Sequence, residues 1–232
     1  MRIVFMGTPD FSVGALESII AAGHTVEAVV TQPDKKKGRG NQVQFTPVKE
    51  AALKHGITVY QPIKVRDEEF VKILKDINPE VMVVVAFGQI VSKEILDIPK
   101  YGCINIHASL LPKYRGSAPI QWAIINGDDK TGVTTMQMNE GLDTGDILLV
   151  DKVKLDKKET GGSLFDRLSI VGAKLLIKTL EGLETGSIIP EKQNEAESSY
   201  VKMLKKSMGE LDFTKSARQI ECLIRGLNPW PS

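Results

Sequence analysis

Apolar and polar residues along this chain follow two periods in alternation. Residues 2–6 form a short apolar run with the look of a strand, residues 13–22 carry apolar positions at helical spacing up to Gly23, and residues 25–31 are strand-like again. That order is a βαβ unit. It repeats with helical spacing over 48–55, a strand over 57–60, helical spacing over 68–77 and a continuous apolar strand over 81–86. An uninterrupted apolar strand is expected where both faces of a parallel sheet are covered by helices. Residues 103–107 predict the next strand and 118–126 the next helix, ended by Gly127. Two further strands, 133–138 and 147–155, are joined by too short a connection for a crossover, so they are expected as an antiparallel pair at the sheet edge. A long amphipathic helix over 164–183 stops near Gly186. The predicted class is α/β: a Rossmann-like, mostly parallel sheet with helices on both faces and an antiparallel edge.

Periodicity is lost over 189–207, a polar stretch holding Pro190, Asn194, Ser198 and Ser199 that reads as a linker. Residues 211–213 and the helix-like 217–226 begin something new, and the chain stops at Asn228-Pro229-Trp230-Pro231-Ser232 with no element to bury the tryptophan. The expected organisation is a catalytic domain over 1–188, a linker over 189–207 and the start of a second domain over 208–232, the rest of it cut off.

Composition narrows the class without naming a chemistry. With 232 residues, 42% hydrophobic, 25% charged and a net charge of +1, the chain is of ordinary globular type. No apolar run reaches membrane-spanning length and the first residues do not make a signal peptide, so a cytoplasmic protein without a membrane partner is expected. Cys103 and Cys222 are far apart, with no Cys-x-x-Cys and no paired histidine spacing, which predicts neither disulfide framework nor metal site. Cys103 is expected to fill the strand core.

Charge is concentrated in one place. Asp34-Lys35-Lys36-Lys37-Gly38-Arg39-Gly40 carries four positive charges and one negative, net +3, in what reads as a flexible glycine-bearing loop. Such a run is ordinarily a solvated surface; the other reading is an arm that pairs with phosphates, with Arg39 between glycines able to approach a backbone closely. Spacing leaves both open. The first βα turn, Gly7-Thr8-Pro9-Asp10, lacks the Gly-x-Gly-x-x-Gly of dinucleotide folds, and no phosphate loop is present, so the sheet is not expected to hold a nicotinamide cofactor.

The candidate chemistry lies in Asn105-Ile106-His107-Ala108-Ser109-Leu110-Leu111-Pro112 and in Gly141-Leu142-Asp143-Thr144-Gly145-Asp146. Asn105 and His107 are two apart on a strand and share a face. The loop after them places the pair near the strand's carboxyl end, where open α/β sheets bind ligands. Singly, Asn105 could cap a turn, His107 could be a hydrogen-bonded core histidine, and Asp143 could be a turn residue between glycines. Together, an amide, an imidazole and a carboxylate at one end of a sheet match the inventory of an acyl-transfer site. His24 and His55 each adjoin glycine at apparent helix ends, where capping explains them.

On these residues the chain resembles the methionyl-tRNA formyltransferase family, and the resemblance runs from Arg2 to Ser232. It is carried by Val4-Phe5-Met6-Gly7-Thr8-Pro9-Asp10-Phe11, Val30-Thr31-Gln32-Pro33-Asp34, the two motifs above, Arg115-Gly116-Ser117-Ala118-Pro119-Ile120-Gln121, Met136-Gln137-Met138 and Ile224-Arg225-Gly226-Leu227-Asn228-Pro229-Trp230-Pro231. The Asn-x-His and Ser-Leu-Leu-Pro patterns are shared with other enzymes that use 10-formyltetrahydrofolate, whereas the opening Gly-Thr-Pro-Asp-Phe and closing Asn-Pro-Trp-Pro are more selective. Two departures stand out: Gly14 replaces a usual proline, and Lys36-Lys37 with Asn41-Gln42 alter the basic loop.

The resemblance implies that methionine's α-amino group on initiator tRNA attacks the formyl carbon of 10-formyltetrahydrofolate, with no metal and no covalent enzyme intermediate. Asn105 and protonated His107 are then expected to donate to the developing oxyanion, and Asp143 to orient the imidazole and help move the proton. Ser109, Leu110, Leu111 and Pro112 are expected to line the folate site, with Phe87, Gly88, Gln89 and Ile90 as its wall, although Phe87 fits plain core packing equally. Arg39, Lys36 and Lys37 are the expected tRNA contacts. The resemblance further implies a monomer and a C-terminal β-barrel that assists tRNA binding, of which this chain holds only the first residues. The rival functions are a formyltransferase with a small-molecule acceptor, a formyltetrahydrofolate hydrolase and a non-catalytic folate- or RNA-binding module.

Overall fold

The computed structural model describes residues 1–37 and 42–231. Arg39 therefore lies outside the described residues. In chain order the elements are β1 (Arg2–Gly7), α1 (Asp10–Ala21), β2 (Thr25–Val30), β3 (Lys35–Lys37), β4 (Gln42–Gln44), α2 (Pro47–Lys54), β5 (Val59–Tyr60), α3 (Glu68–Ile77), β6 (Val81–Val85) and α4 (Lys93–Leu96). They continue with β7 (Cys103–His107), β8 (Arg115–Gly116), α5 (Pro119–Ile125), β9 (Lys130–Gln137), β10 (Ile147–Lys154), α6 (Gly161–Thr185), β11 (Tyr200–Val201) and α7 (Ala217–Gly226).

Seven strands form one sheet in the order β10-β9-β7-β6-β1-β2-β5. The β5-β2-β1-β6-β7 portion is parallel, and β9 and β10 complete it as antiparallel strands. The α/β class with an antiparallel edge is thus as expected. Alternation along β1 divides the core: Ile3 and Phe5 join the cluster under α1 and α6, while Val4 and Met6 face the cluster under α3. The chain runs from β1 to β2 on one side and returns to β6 on the other, so the sheet has its topological switch between β1 and β6.

Local chemistry sets the boundaries. Thr46 caps α2 by accepting from the Lys49 N–H, and Pro47 occupies the first helical turn, where its missing N–H costs nothing. Thr160 and Ser163 form a reciprocal capping box at the start of α6, and Gly186, at φ 67°, ends it in the left-handed conformation. Gly14 lies within α1, its nearest neighbour across a hypothetical Cβ being the Ser169 carbonyl at 4.0 Å, so glycine is not forced there by crowding.

Two expectations change. The flanks of the basic segment are not loop but the antiparallel pair β3 and β4, whose backbone ladder includes Lys36 and Lys37. Lys49 anchors its base through an ion pair with Asp34 and a 2.7 Å hydrogen bond to Gln61, and Gln61 Nε2 donates to Asp34 Oδ1 at 2.8 Å. The aperiodic stretch after residue 188 is also tied down: Glu191 bridges to Ile147, and Tyr200–Val201 pairs in parallel with Arg115–Gly116. Such polar tethers carry no periodicity and leave no trace in the hydrophobic pattern. Beyond them, α7 packs on α5, and the Gly162 N–H donates to the Asn228 carbonyl at 2.9 Å.

Candidate active site

The candidate site is built at the carboxyl end of β7. Cys103, Asn105 and His107 alternate onto one face; Cys103 closes the apolar cluster, and the two polar residues continue beyond it. Burial pushes the Cys103 thiol up to about 12, and the neighbouring Asp97 charge adds to this, which makes it an inert core residue. The side-chain oxygen of Asn105 is buried and has no hydrogen-bond partner among the described residues. A polar atom in that state is costly, typically about 1–3 kcal/mol, unless something else uses the group.

His107 is nearly enclosed, 6% exposed. Its Nε2 lies 2.8 Å from the Tyr114 carbonyl, which can only accept, so Nε2 carries a proton. The opposite nitrogen, Nδ1, lies 3.7 Å from Asp143 Oδ2, too long for a hydrogen bond but close for an ion pair. Both ring nitrogens thus face oxygen acceptors. Asp143 Oδ2 in turn accepts the Gly116 N–H at 2.8 Å. The contact that orients the ring is therefore the Tyr114 carbonyl, and Asp143 acts on it by charge rather than by a direct hydrogen bond.

The loops that deliver these groups are held in unusual backbone conformations. Tyr114 at φ 60° and Asp143 at φ 54° both occupy the left-handed region without being glycine. Tyr114 is fixed by its phenol, which donates to Asp128 at 2.7 Å and accepts from Asn126 at 3.1 Å. Burial, opposed by the Asn126 hydrogen bond and reinforced by Asp128, pushes that phenol up to about 12, so it remains a donor at neutral pH. Gly116, at φ 96°, is required for a second reason: a Cβ there would stand 2.6 Å from the Val201 carbonyl.

The remaining sequence-predicted residues divide by what their side chains do. Ser109 is fully buried, its hydroxyl donates to the Lys113 carbonyl at 2.6 Å, and its own carbonyl accepts from the Thr134 hydroxyl at 2.7 Å. Leu111 is buried too, and its N–H donates to the Thr134 hydroxyl at 3.2 Å, while Leu110 and Pro112 are half-buried. Phe87 packs in the apolar cluster under α3. The β6 strand-end residue that follows Phe87 is Gly88, at φ 82°, and it is exposed. Gln89 spends its amide on structure, accepting from the Val65 N–H at 2.7 Å and donating to the Pro62 carbonyl at 3.1 Å. Ile90, by contrast, is 78% exposed at the mouth of the switch region. Lys36 and Lys37 sit in β3, which pairs with β4 in a separate two-stranded sheet.

Sequence reasoning missed the group behind the site. Arg115 is wholly buried, and its guanidinium donates to both carboxylate oxygens of Glu195 at 2.8 and 2.9 Å, to Gln193 Oε1 at 3.0 Å and to the Tyr200 hydroxyl at 3.1 Å. The Glu195 hydrogen bonds hold the Arg115 guanidinium protonated, and Arg115 keeps the Glu195 carboxyl below the usual carboxylate range. No local motif joins residues 80 apart, so only the fold could reveal them. Among the described residues, no cluster of three or more His, Cys, Asp or Glu side chains is arranged to hold a metal ion, and no helix is long and apolar enough to cross a membrane.

Comparison with known proteins accounts for the whole length. Residues 1–180 match the family model described as "Formyl transferase", and residues 203–232 match "Formyl transferase, C-terminal domain". A methionyl-tRNA formyltransferase of Lachnospira eligens is 67% identical over 232 residues, covering 100% of this chain and 74% of that protein. One of Agathobacter rectalis is 61% identical over the same 232 residues and 75% of its length. Among solved structures, the N-formyltransferase of Helicobacter canadensis in complex with folinic acid and dTDP-3-aminofucose superposes with a TM-score of 0.73 at 21% identity, covering 97% of this chain and 80% of that one. At that identity the superposition speaks to the fold alone.

Proposed function

We propose, from the premise that this chain belongs to the methionyl-tRNA formyltransferase family, that Asn105, His107 and Asp143 are its catalytic centre. The chain transfers the formyl group of 10-formyltetrahydrofolate to the free amino group of methionyl-initiator-tRNA. The observation that carries the assignment is the setting of His107, held by the Tyr114 carbonyl on one nitrogen and facing Asp143 across 3.7 Å on the other, beside Asn105, whose buried side-chain oxygen has no hydrogen-bond partner among the described residues.

The formyl donor supplies the carbonyl carbon that the amine attacks. Asn105 fits that group because its side-chain oxygen has no partner among the described residues: its amide N–H donates to the formyl oxygen as that oxygen gains charge, the kind of preorganised contact worth about 3 kcal/mol per donor. His107 keeps Nε2 on Tyr114 and uses its Nδ1–H to donate to the same oxygen, while the proton given up by the attacking amine passes by way of Asp143 and a water to the leaving nitrogen of tetrahydrofolate as the bond from that nitrogen to the formyl carbon breaks. Asp143 offsets the charge of the imidazolium at close range in a largely water-excluded position. Ser109 and Leu111 shape the loop under the folate site, and Leu110, Pro112, Gly88 and Ile90 supply its accessible lining.

The acceptor is read elsewhere. Arg39, which lies outside the described residues, and Lys36 and Lys37 of β3 meet the tRNA phosphates, and the rooting of β3 through Asp34, Lys49 and Gln61 supports that role. Residues 1–188 act as the catalytic domain, 189–207 as a connecting segment and 208–232 as part of the C-terminal domain; the chain works as a monomer in the cytoplasm. The test offers labelled formyl donor to charged initiator tRNA, to glycinamide ribonucleotide and to water alone. Label on the tRNA is expected, with Arg39→Ala raising KM for tRNA and flattening its salt dependence while KM for the donor stays put. Label on the ribonucleotide, or free formate without tRNA product, overturns the reading.

A further inference from the structure

Three consecutive residues, Tyr114, Arg115 and Gly116, touch the site in alternation. The Tyr114 carbonyl holds His107 Nε2, the Gly116 N–H holds Asp143 Oδ2, and between them the Arg115 side chain turns away into a buried polar cluster. The Tyr114 carbonyl and the Gly116 N–H belong to the two planar peptide units that flank the Cα of residue 115, so the position of residue 115 fixes the spacing of the two contacts beside it.

Arg115 reaches the Asp143 loop by a second route. Its Nε donates to Gln193 Oε1 at 3.0 Å, which forces the amide of Gln193 into one orientation. Gln193 Nε2 then donates to the carbonyls of Asp143 at 2.8 Å and Gly145 at 2.7 Å. The amide thus makes one hydrogen bond through oxygen and two through nitrogen, all directed by a guanidinium. Asp143 is held from both ends: its carboxylate by Gly116 and its backbone by Gln193, in a left-handed conformation that a lone aspartate does not favour. Glu195 completes the cluster as a two-pronged partner for Arg115, and parallel pairing of β8 with β11 seats the segment.

We propose that Arg115 and Gln193 are positioning residues for formyl transfer, a brace running from the segment after residue 188 that sets the separation of Asp143 from His107. This rests on the reading of Asn105, His107 and Asp143 as the reacting centre. The stretch that is polar and aperiodic in sequence is then the back wall of the site.

The test compares the full chain with Gln193→Leu, Arg115→Lys, Glu195→Gln, Asp143→Asn and the double variant Gln193→Leu with Asp143→Asn. A brace predicts that Gln193→Leu and Arg115→Lys lower kcat by roughly 10- to 100-fold, as a displacement of about 1 Å does, with KM for both substrates within about twofold. Because Gln193 acts through Asp143, the double variant is expected to be no slower than Asp143→Asn alone. Multiplying losses, or a wild-type kcat in Gln193→Leu, overturn the brace. A wild-type rate in Asp143→Asn instead overturns the reading of the centre, which separates the two failures. A readout that needs no turnover is the imidazole 15N spectrum, simple because the chain has three histidines. Gln193→Leu and the milder Glu195→Gln are expected to move the His107 signals and leave those of His24 and His55 in place; unchanged His107 signals refute the proposal.

Discussion

Asn105→Ala separates catalysis from stability in opposite directions. The side chain leaves its oxygen buried without a hydrogen-bond partner among the described residues, a state that costs the folded protein about 1–3 kcal/mol. Alanine removes that cost and gives up some strand packing, about 1 kcal/mol or less on a scale that spans ~1 kcal/mol. The net change in folding stability is expected between zero and a gain of about 3 kcal/mol, and at roughly 2–4 °C per kcal/mol for a chain of this length Tm should stay level or rise by up to roughly 10 °C. Loss of one donor to the transition-state oxygen removes about 3 kcal/mol from catalysis, a fall in kcat on the order of 10². Asn105→Asp keeps the shape, loses the donor and should fall at least as far. The assay is formyl transfer at saturating donor and methionyl-tRNA, with thermal melts on the same samples. A kcat within fivefold of wild type, or a Tm lowered by more than about 5 °C, makes Asn105 a strand residue like its neighbours and refutes the argument.

Other expectations follow from particular contacts. Gly116→Ala places a Cβ against the Val201 carbonyl at positive φ, so the urea midpoint should drop by an amount corresponding to roughly 1–3 kcal/mol or more and activity should fall with it; an unchanged midpoint contradicts the geometry. Burial acts to raise Asp34, but hydrogen bonds from Lys49 and Gln61 and the Lys49 charge outweigh it and the carboxyl lies below its ordinary value. The stability it contributes is fully present above the unfolded pKa of about 3.9 and is lost as pH falls through the lower folded value. Asp34→Asn should therefore flatten the loss of stability below about pH 4, and identical acid profiles for the two proteins count against it. With its thiol pushed up to about 12 and no solvent exposure, Cys103 should react with a disulfide reagent only after unfolding in denaturant; rapid labelling of native protein at neutral pH shows it to be accessible.

The brace also bears on how the two ends of the chain relate. Residues 193–201 hold Arg115 and Asp143, while 217–228 seat on α5 and on the start of α6, where Arg225 donates to the Glu159 carbonyl at 2.7 Å. Both stretches thus fold back onto elements that precede the long helix α6 or begin it.

The sequence by itself determined the layers. Continuous apolar strands and helical spacing between them forced a parallel sheet covered on both faces, since only that arrangement buries every apolar side chain, and the short link between β9 and β10 made the edge antiparallel. Period-two alternation also put Asn105 and His107 side by side. Tertiary structure alone decided what each group does. Phe87 packs in an apolar cluster, the Ser109 hydroxyl donates to the Lys113 carbonyl, and Gln89 binds the backbone of Val65 and Pro62, contacts that the hydrophobic pattern does not carry. Tertiary structure also decided that Tyr114, by its carbonyl, orients His107, and that Arg115 and Gln193 hold Asp143 from across a stretch with no periodicity. Hydrophobic burial is averaged over many residues and leaves a repeating pattern in the chain, whereas a hydrogen bond joins two atoms of fixed direction and leaves none.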